Sequence, residues 1–401
     1  FFCDCDIIKL KVYYIINNMK KLLILIYFVF IVFIFNDKLF AFEQKIKVGL
    51  LLPLSGQNQE IGKSVLRSVT LAINKIDDPI LEIYPKNNFD NPDDNIRAAE
   101  ELYDQGVRLF IGPIFNKNIK NLEKFSDAIF ITFSNKNKNN QKNLIYAGVN
   151  ATSQIATIKK FLEKNNIEKT ICLIPEADFK DEIKKGISQT EINLKKVYFY
   201  NTEPTEITKR IEKITRYNIR KQNLLDEIKR VENSDDPNKE KKIKNLEKRD
   251  TLGKLGFDSV IISDFDESLK SVITSLIYTD VSTKKVHFIT LNQWFDDSLL
   301  KEDSSQNIYF PSINKKNYDN FSNLFFKKFN SYPNQISFLS YDLIGLVYFL
   351  TKKNSLEDVE KIFDQKNTFK GKTGIFEIKD KKISHVLNFY KVENGKFKEI
   401  F

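Results

Sequence analysis

The stretch Lys47-Val-Gly-Leu-Leu-Leu-Pro-Leu-Ser-Gly56 sets the pattern that decides the fold of this 401-residue chain. Residues 46–52 are rich in Leu and β-branched side chains, and Pro53 and Gly56 end the run, which is typical of a buried strand and its turn. Residues 60–76 then place an apolar side chain at every fourth position, which predicts one buried stripe of a helix. A strand, a turn and a helix in this order are the first unit expected of a parallel sheet covered by helices.

The same alternation continues along the chain in two series. The first series predicts strands at residues 81–84, 107–111, 128–133 and 145–146, and helices at residues 96–105, 116–125 and 153–163. The second series begins near Lys169 and predicts strands at residues 170–174, 196–200, 258–263 and 286–291, and helices at residues 179–187 and 267–278. Two such series predict an α/β protein with two doubly wound, Rossmann-like lobes around a cleft, linked near Asn150.

Residues 205–252 do not follow this alternation of strands and helices. Apolar residues from Ile207 to Ile228 follow helical spacing, a turn falls at residues 233–237, and residues 239–248 predict a second, highly charged helix. We interpret the segment as a helical hairpin inserted in the second lobe. Two roles stay open for it at this stage: a solvated insertion without a partner, or an arm that contacts another protein.

The C-terminal third predicts two more helices and a hairpin. The helices are expected at residues 318–330 and 337–351, and the hairpin at residues 374–378 and 384–392 with its turn at Asp380-Lys381. From these elements we predict the limits of the two lobes. The first lobe takes residues 42–150 with about 335–370, and the second takes residues 151–334 with about 371–401, including the hairpin insertion at 205–252.

A targeting signal is predicted near the N-terminus. Met19 is followed by Lys20-Lys21, an apolar run over residues 22–35 and the small residue Ala41. This order is typical of a secretory signal peptide, here residues 19–41, and the run is short for a membrane span of ~20 residues. We therefore expect export to the periplasm of a Gram-negative bacterium, with no stable membrane anchor after cleavage. The alternative is an uncleaved N-terminal anchor.

Residues 1–18 precede the only methionine and are interpreted as an untranslated upstream segment. On that interpretation Cys3 and Cys5 carry no metal or redox role. The one cysteine that remains, Cys172, lies in an apolar run and predicts a small buried hydrophobic side chain without an internal disulfide.

The composition argues against several classes of function. The chain has 63 Lys and Arg against 53 Asp and Glu, but the excess is spread over mixed helices, so no nucleic-acid site is expected. Two histidines, His287 and His385, and the absence of Cys-x-x-Cys or His-Glu-x-x-His argue against a zinc site. No Gly-x-Ser-x-Gly supports a nucleophile elbow. We therefore predict a protein that is not an enzyme and uses no metal or cofactor.

One segment comes close to a nucleotide-binding motif. Gly56-Gln-Asn-Gln-Glu-Ile-Gly62-Lys63-Ser64 follows the first strand and opens a helix, as a P-loop does. A P-loop has four residues between its glycines, whereas this segment has five, and the loop length sets where the backbone amides point. We interpret the segment as an ordinary turn between a strand and a helix.

Polar side chains follow the predicted strands at their carboxyl ends. Open parallel sheets bind ligands at this edge, where side chains and helix N-termini converge. If the lobes face each other, one cleft is predicted to be lined by Ser55, Asn116, Ser134 and Asn135 of the first lobe and by Asp178, Phe179, Asp264, Asn292 and Trp294 of the second.

Three motifs carry a resemblance to a known family. They are residues 47–56, Gln105-Gly-Val-Arg-Leu-Phe-Ile-Gly-Pro113 and Ile129-Phe-Ile-Thr-Phe-Ser134. Together they resemble the leucine-binding-protein group of type I periplasmic binding proteins. This resemblance implies two doubly wound lobes, a hinge of several chain crossings and a ligand cleft.

Within that group the chain looks most similar to alphaproteobacterial penicillin-binding-protein activators. The similarity lies in residues 112–118, in residues 216–260 around the helical insertion, and in Gly374-Ile-Phe-Glu-Ile378. It implies contact with a cell-wall synthase in the periplasm without catalysis.

The wider group suggests a second hypothesis. Its amino-acid-binding members hold the ligand carboxylate with small hydroxyl residues and backbone amides, and the ammonium with an acidic side chain. By this resemblance Ser134 matches the hydroxyl position and Asp264 the acidic one, while Asn116 stands where a serine pair is typical. The alternative function is therefore a solute receptor that delivers a small amino-acid-type ligand to an ABC permease.

Overall fold

The computed structural model describes residues 13–27, 45–136, 141–352, 354–372, 374–379 and 381–401. The chain forms two compact units, Phe1–Lys45 and Ile46–Phe401. In the first unit, residues 13–27 form a helix (α1) with exposed side chains. The rest of the predicted upstream segment and signal peptide, residues 1–12 and 28–41, lies outside the described residues. Within the described part of the chain, no helix has both the length and the apolar character needed to cross a membrane.

The second unit contains two sheets. The first has eight strands in the order β11-β12-β13-β5-β4-β3-β1-β2, and the second has seven in the order β15-β14-β10-β9-β8-β6-β7. The strands are β1 (Ile46–Leu52), β2 (Leu81–Asn87), β3 (Leu109–Ile111), β4 (Ile129–Thr132), β5 (Leu144–Tyr146), β6 (Thr170–Pro175), β7 (Lys196–Tyr200), β8 (Ser259–Ile262), β9 (His287–Thr290), β10 (Ile308–Ser312), β11 (Asn367–Lys370), β12 (Ile375–Lys379), β13 (Lys382–Val386), β14 (Asn388–Glu393) and β15 (Lys396–Glu399).

Helices flank both sheets and connect their parallel strands. They are α2 (Gln59–Ile76), α3 (Pro92–Asp104), α4 (Ala151–Lys164), α5 (Lys180–Thr190), α6 (Pro204–Thr215), α7 (Tyr217–Glu232), α8 (Lys239–Leu246), α9 (Asp266–Tyr278), α10 (Ser298–Lys301), α11 (Lys315–Phe329), α12 (Gln335–Thr351) and α13 (Leu356–Asp364). Three connections near the C-terminus are hairpins: β12 pairs antiparallel with both β11 and β13, and β14 pairs antiparallel with β15.

Each sheet buries both of its faces. In β1, Leu50 and Leu52 belong to one core cluster, whereas Leu51 points into a different one. In β6, Leu173 and Cys172 divide between two clusters in the same way. Because side chains alternate across a strand, a strand covered by helices on both faces is apolar at nearly every position. The doubly wound α/β architecture with two lobes is therefore confirmed, as is the burial of Cys172.

Some elements differ from the sequence prediction. Residues 116–125 form two short 3-10 helices, Asn116–Ile119 and Leu122–Lys124, instead of one α-helix. Asn121 adopts a left-handed backbone with φ 65° between them, which an α-helix does not tolerate. Strands β10, β11 and β15 and helix α13 were not predicted from the sequence, and each of them is short.

The insertion is shorter than the predicted segment 205–252. Helix α6 belongs to the lobe itself, because Ile207 and Ile211 are buried in the core of the second sheet. Only α7 and α8 form the projecting hairpin, and no residue of Lys239–Leu246 is buried. The first helix of the predicted arm is thus an ordinary connection between β7 and β8.

The lobe boundary near the C-terminus also differs from the prediction. Strands β12 and β13 pair within the first sheet, so the chain passes into the second sheet at Leu387, not near residue 371. Helix α11, assigned to the second lobe from the sequence, packs Phe321 and Phe325 with Phe338 of α12, in a core that also contains Phe310 of β10. These assignments follow from strand pairing and aromatic packing, which local periodicity does not report.

Candidate ligand cleft

In the first lobe, the segments after β3 and β4 lie together. Ser134 is buried, and its Oγ lies 3.2 Å from Asn116 Oδ1 and 3.2 Å from the Lys136 carbonyl oxygen. The same oxygen accepts a hydrogen bond of 3.1 Å from the Lys136 N–H. Asn135, next in the chain, is exposed. The structure therefore brings Asn116 and Ser134 into contact, but it pairs the Ser134 hydroxyl inside its own loop.

The segment after β1 meets the segment after β2. Asn87 Nδ2 donates to Ser55 Oγ at 2.8 Å, and Asn87 Oδ1 accepts from the Leu54 N–H at 2.9 Å. Because β1 and β2 are parallel neighbours, their carboxyl ends meet at one edge. Ser55 is therefore held by a side chain that the sequence argument missed, although Asn87 begins the conspicuous polar stretch of residues 87–91.

Asp90 is the centre of a second missed group at this edge. Its carboxylate accepts from Asn58 Nδ2 at 2.7 Å, from Asn118 Nδ2 at 2.9 Å and forms an ion pair with Lys117 Nζ at 2.9 Å. Partial burial alone would raise the pKa of Asp90, but the hydrogen bonds from Lys117, Asn58 and Asn118 outweigh it and lower the pKa. The carboxylate therefore stays ionised and holds together the loops that follow β1, β2 and β3.

In the second lobe, Asp264 is buried and bonded within its own lobe. Its carboxylate accepts hydrogen bonds from the Tyr200 hydroxyl, from Ser268 Oγ at 2.6 Å and from the Phe265 N–H at 2.9 Å. Burial, followed by the neighbouring Asp264 charge, raises the pKa of Tyr200, so this hydroxyl remains a donor.

Two other predicted positions lie at the same end of the second sheet. The rings of Phe179 and Phe265 meet edge to face with centroids 5.5 Å apart, and Asp178 is exposed. This places Phe179 beside the loop that carries the buried carboxylate.

Asn292 and Trp294 occupy the turn after β9. Asn292 is buried; its backbone N–H donates to Gln154 Oε1 at 2.8 Å, and its Oδ1 accepts from the Trp294 N–H at 2.9 Å and from Ser312 Oγ at 2.8 Å. Asn292 Nδ2 has no hydrogen-bond partner among the described residues. Trp294 has a left-handed backbone with φ 50° and packs against the core, so its ring is half-buried.

A cavity of about 70 Å³ lies between elements of the two lobes. Its wall includes Ser134, Asn135 and Gly148 on one side and Thr152, Glu182 and Gln189 on the other. This volume holds a few water molecules. Of the nine predicted cleft residues, Ser134 and Asn135 line it.

His385 forms hydrogen bonds to the segments beside this cavity in which the chain passes from one sheet to the other. The buried imidazole has Nε2 2.9 Å from the Ala147 carbonyl oxygen, and the His385 N–H donates to Ser153 Oγ at 3.1 Å. Burial lowers the pKa of His385, and the hydrogen bond to Ala147 only partly opposes this effect. Through its neutral ring and its backbone N–H, His385 therefore joins three segments where the chain passes between the sheets.

The described part of the chain contains neither a reactive cysteine nor a cluster of metal ligands. Burial raises the pKa of Cys172 to about 12, which suppresses the thiolate that a nucleophile requires. Among the described residues, no group of three or more His, Cys, Asp or Glu side chains is placed to hold a metal ion.

Comparison with known proteins agrees with this architecture. A family model described as periplasmic binding protein matches residues 45–192. The LpoA C-domain of Haemophilus influenzae, a regulator of PBP1A, superposes with a TM-score of 0.61 over 88% of this chain and 100% of that chain, at 13% identity. The chain has the type I periplasmic binding protein fold.

Two transport-related structures share this periplasmic binding protein fold. LivJ from Streptococcus pneumoniae, a branched-chain amino acid transporter substrate binding protein solved with isoleucine, gives a TM-score of 0.53 over 89% of this chain and 99% of that one, at 16% identity. A putative branched-chain amino acid ABC transporter protein from Rhodospirillum rubrum gives 0.66 over 89% and 100%, at 11% identity. A search of curated protein sequences gives no significant match. The similar structures thus include both solute-binding proteins and a regulator.

Proposed function

We propose that the protein is a non-enzymatic periplasmic regulator that contacts a cell-wall synthase through the α7–α8 hairpin. The observation that carries this proposal is the hairpin itself, which is an addition to the β7–β8 connection with a largely solvated surface. Ile219 and Leu225 of α7 are 57% and 46% exposed. Residues 217–250 hold ten basic and eight acidic side chains, so the hairpin carries no basic block that would favour a polyanion.

The hairpin is fixed to the lobe by a buried arginine. Arg220 donates to the Thr215 carbonyl oxygen at 3.0 Å, to Thr251 Oγ1 at 3.0 Å and to the Thr279 carbonyl oxygen. The Leu252 N–H, at the other end of the insertion, donates a hydrogen bond of 2.9 Å to the Arg220 carbonyl oxygen. Because both ends of the insertion meet at this residue, the hairpin is presented in one orientation, which lowers the entropy lost on binding a partner.

The polar groups of the cleft support a regulator over a receptor. An amino-acid ligand needs a free acidic side chain for its ammonium group and free hydrogen-bonding groups for its carboxylate. Asp264 already accepts three hydrogen bonds inside the second lobe, and Ser134 is engaged by Asn116 and Lys136. A ligand would have to replace these internal bonds, which reduces its net binding energy.

The test is capture of synthases by the purified chain. We would incubate the chain with detergent-solubilised membranes labelled with a fluorescent penicillin and isolate it by affinity. The matched variant replaces residues 222–249 by a short Gly-Ser linker, which keeps Arg220, Thr251 and Leu252 and so preserves the attachment point. We expect a labelled synthase with the full chain and none with the variant. Equal capture by a folded variant would exclude the hairpin as the contact.

A solute receptor for an ABC permease is the second candidate. Asn292 Nδ2, a buried donor without a partner among the described residues at the carboxyl end of β9, favours it, as does the likeness to LivJ over most of both chains. Titration calorimetry of the chain with a panel of amino acids tests this function. Saturable heat that disappears in Asp264→Asn would favour the receptor, and no heat across the panel would exclude it for these ligands.

A further inference from the structure

Strand β11 forms the outer edge of the eight-stranded sheet. It pairs antiparallel with β12, with Thr368 opposite Glu377 and Phe369 opposite Phe376. The hairpin that joins them closes with a hydrogen bond of 2.8 Å from the Gly371 N–H to the Gly374 carbonyl oxygen. Hydrogen-bonded and non-hydrogen-bonded pairs alternate along an antiparallel ladder, and the Gly371–Gly374 pair is hydrogen-bonded. The pairs that contain Lys370 and Thr368 are therefore the non-bonded ones, and the backbone groups of these two residues point away from β12, towards the open edge.

A groove of about 660 Å³ runs beside this edge, between β11 and α12. Its wall is mainly apolar and includes Leu346 and Phe349 of α12, Phe369 of β11 and Phe376 of β12. Gly345 also lines it, and a Cβ at this position would have no other atom within 4 Å. Phe349 is 55% exposed and forms part of this apolar wall. The groove thus has room for an apolar side chain beside the edge strand.

The charges along the edge are basic. Lys366, Lys370 and Lys372 are exposed, and none forms an ion pair with a described residue. By strand alternation the side chains of Thr368 and Lys370 project opposite to that of Phe369, although both residues also contribute to the groove wall, and Lys366 immediately precedes the strand. The acid of the groove wall, Asp342, is buried and accepts from the Lys372 N–H at 2.7 Å. The edge therefore offers an apolar face and a basic face at alternate positions.

We propose that this edge docks an extended acidic segment of a partner protein by β-strand addition. The added strand would bond to the outward backbone groups of Thr368 and Lys370, as an extended peptide does when it joins an exposed sheet edge. Alternate side chains would be apolar, in the groove beside Phe349, and acidic, beside Lys366 and Lys370. Edge lysines also discourage pairing with a second copy of the same basic strand, which favours an acidic partner. This surface is independent of the α7–α8 hairpin and of the cleft.

The probe is a fluorescein-labelled octapeptide in which glutamate alternates with valine and phenylalanine. We expect a saturable rise in fluorescence anisotropy with the full chain at 25 mM salt, and a weaker affinity at 300 mM salt, because exposed charges are screened. A peptide with lysine for glutamate, and one with alternate backbone N-methyl groups, should both fail to bind. Binding of either control with unchanged affinity would overturn the proposal.

Two variants test the site. Thr368→Pro removes only an N–H that faces the open edge, so the fold should be retained while the affinity falls about tenfold; Thr368→Val is its control and should bind as the parent does. Gly345→Phe should also weaken binding by filling the groove. Unchanged affinity in both Thr368→Pro and Gly345→Phe, with native circular dichroism, would refute the site. Dimerisation in sedimentation velocity that Thr368→Pro abolishes, without peptide binding, would assign the edge to a second copy and refute the proposal.

Discussion

Two helical glycines with opposite surroundings give the sharpest test of how this chain packs. Gly62 lies in the first turn of α2, and a Cβ there would fall 2.1 Å from the Pro53 carbonyl oxygen. Gly345 lies in the middle of α12, and a Cβ there would have no neighbour within 4 Å. The methyl group of alanine would therefore meet backbone at position 62 and open space at position 345.

The expected effects on the free energy of unfolding have opposite signs. Overpacking costs about 1–3 kcal/mol, and the upper end applies to Gly62→Ala because the obstacle is backbone rather than a flexible side chain. The higher helix propensity of alanine stabilises the helix by about 1 kcal/mol, so the free energy of unfolding should fall by about 2 kcal/mol in total. Gly345→Ala gains about 1 kcal/mol, since only the propensity term applies.

The assay is urea unfolding of both variants and the parent, followed by circular dichroism and by the fluorescence of Trp294. Coincident transitions from the two probes establish that one midpoint describes the unfolding. We expect a lower midpoint for Gly62→Ala and a higher midpoint for Gly345→Ala. A Gly62→Ala midpoint equal to or above that of the parent would show that α2 does not approach the Pro53 carbonyl as closely as described, and the reasoning would be wrong.

Two further predictions concern the buried polar groups. Arg220→Met should lower the free energy of unfolding by about 3 kcal/mol, because it leaves the Thr215 and Thr279 carbonyl oxygens unpaired; hydrogen exchange should speed up in α7 but not in α3, and unchanged exchange in α7 would contradict the anchoring role. His385 has a folded pKa below its ordinary value of 6.5, so the unfolded chain binds more protons and stability falls as pH drops through 6.5 towards the folded pKa, by at most about 1.4 kcal/mol per pH unit. In urea titrations between pH 7.5 and 5, the free energy of unfolding of His385→Gln should depend less on pH than that of the parent. An identical pH dependence in the two proteins would refute the assignment.

The segment that resembles a P-loop shows that a local pattern predicts local structure but does not identify tertiary contacts. Gly62-Lys63-Ser64 follows a strand and opens a helix, as the sequence predicted. The structure gives Gly62 and Ser64 packing roles: Gly62 leaves space for the Pro53 carbonyl, and Ser64 Oγ accepts a hydrogen bond of 2.6 Å from Ser337 Oγ of α12. The partner of Ser64 lies 273 residues away in the chain, and no local motif identifies it.

The sequence by itself determined the alternation of strands and helices, because the period of apolar residues is set by the geometry of each element alone. It also determined that the strands are covered on both faces and that polar residues follow their carboxyl ends. Only the tertiary structure decided that Asp264 is bonded to Tyr200, that Arg220 closes the insertion, and that β11 is left at an open edge. These features depend on which distant segments meet, and that is fixed by the packing of whole elements rather than by any periodicity within them.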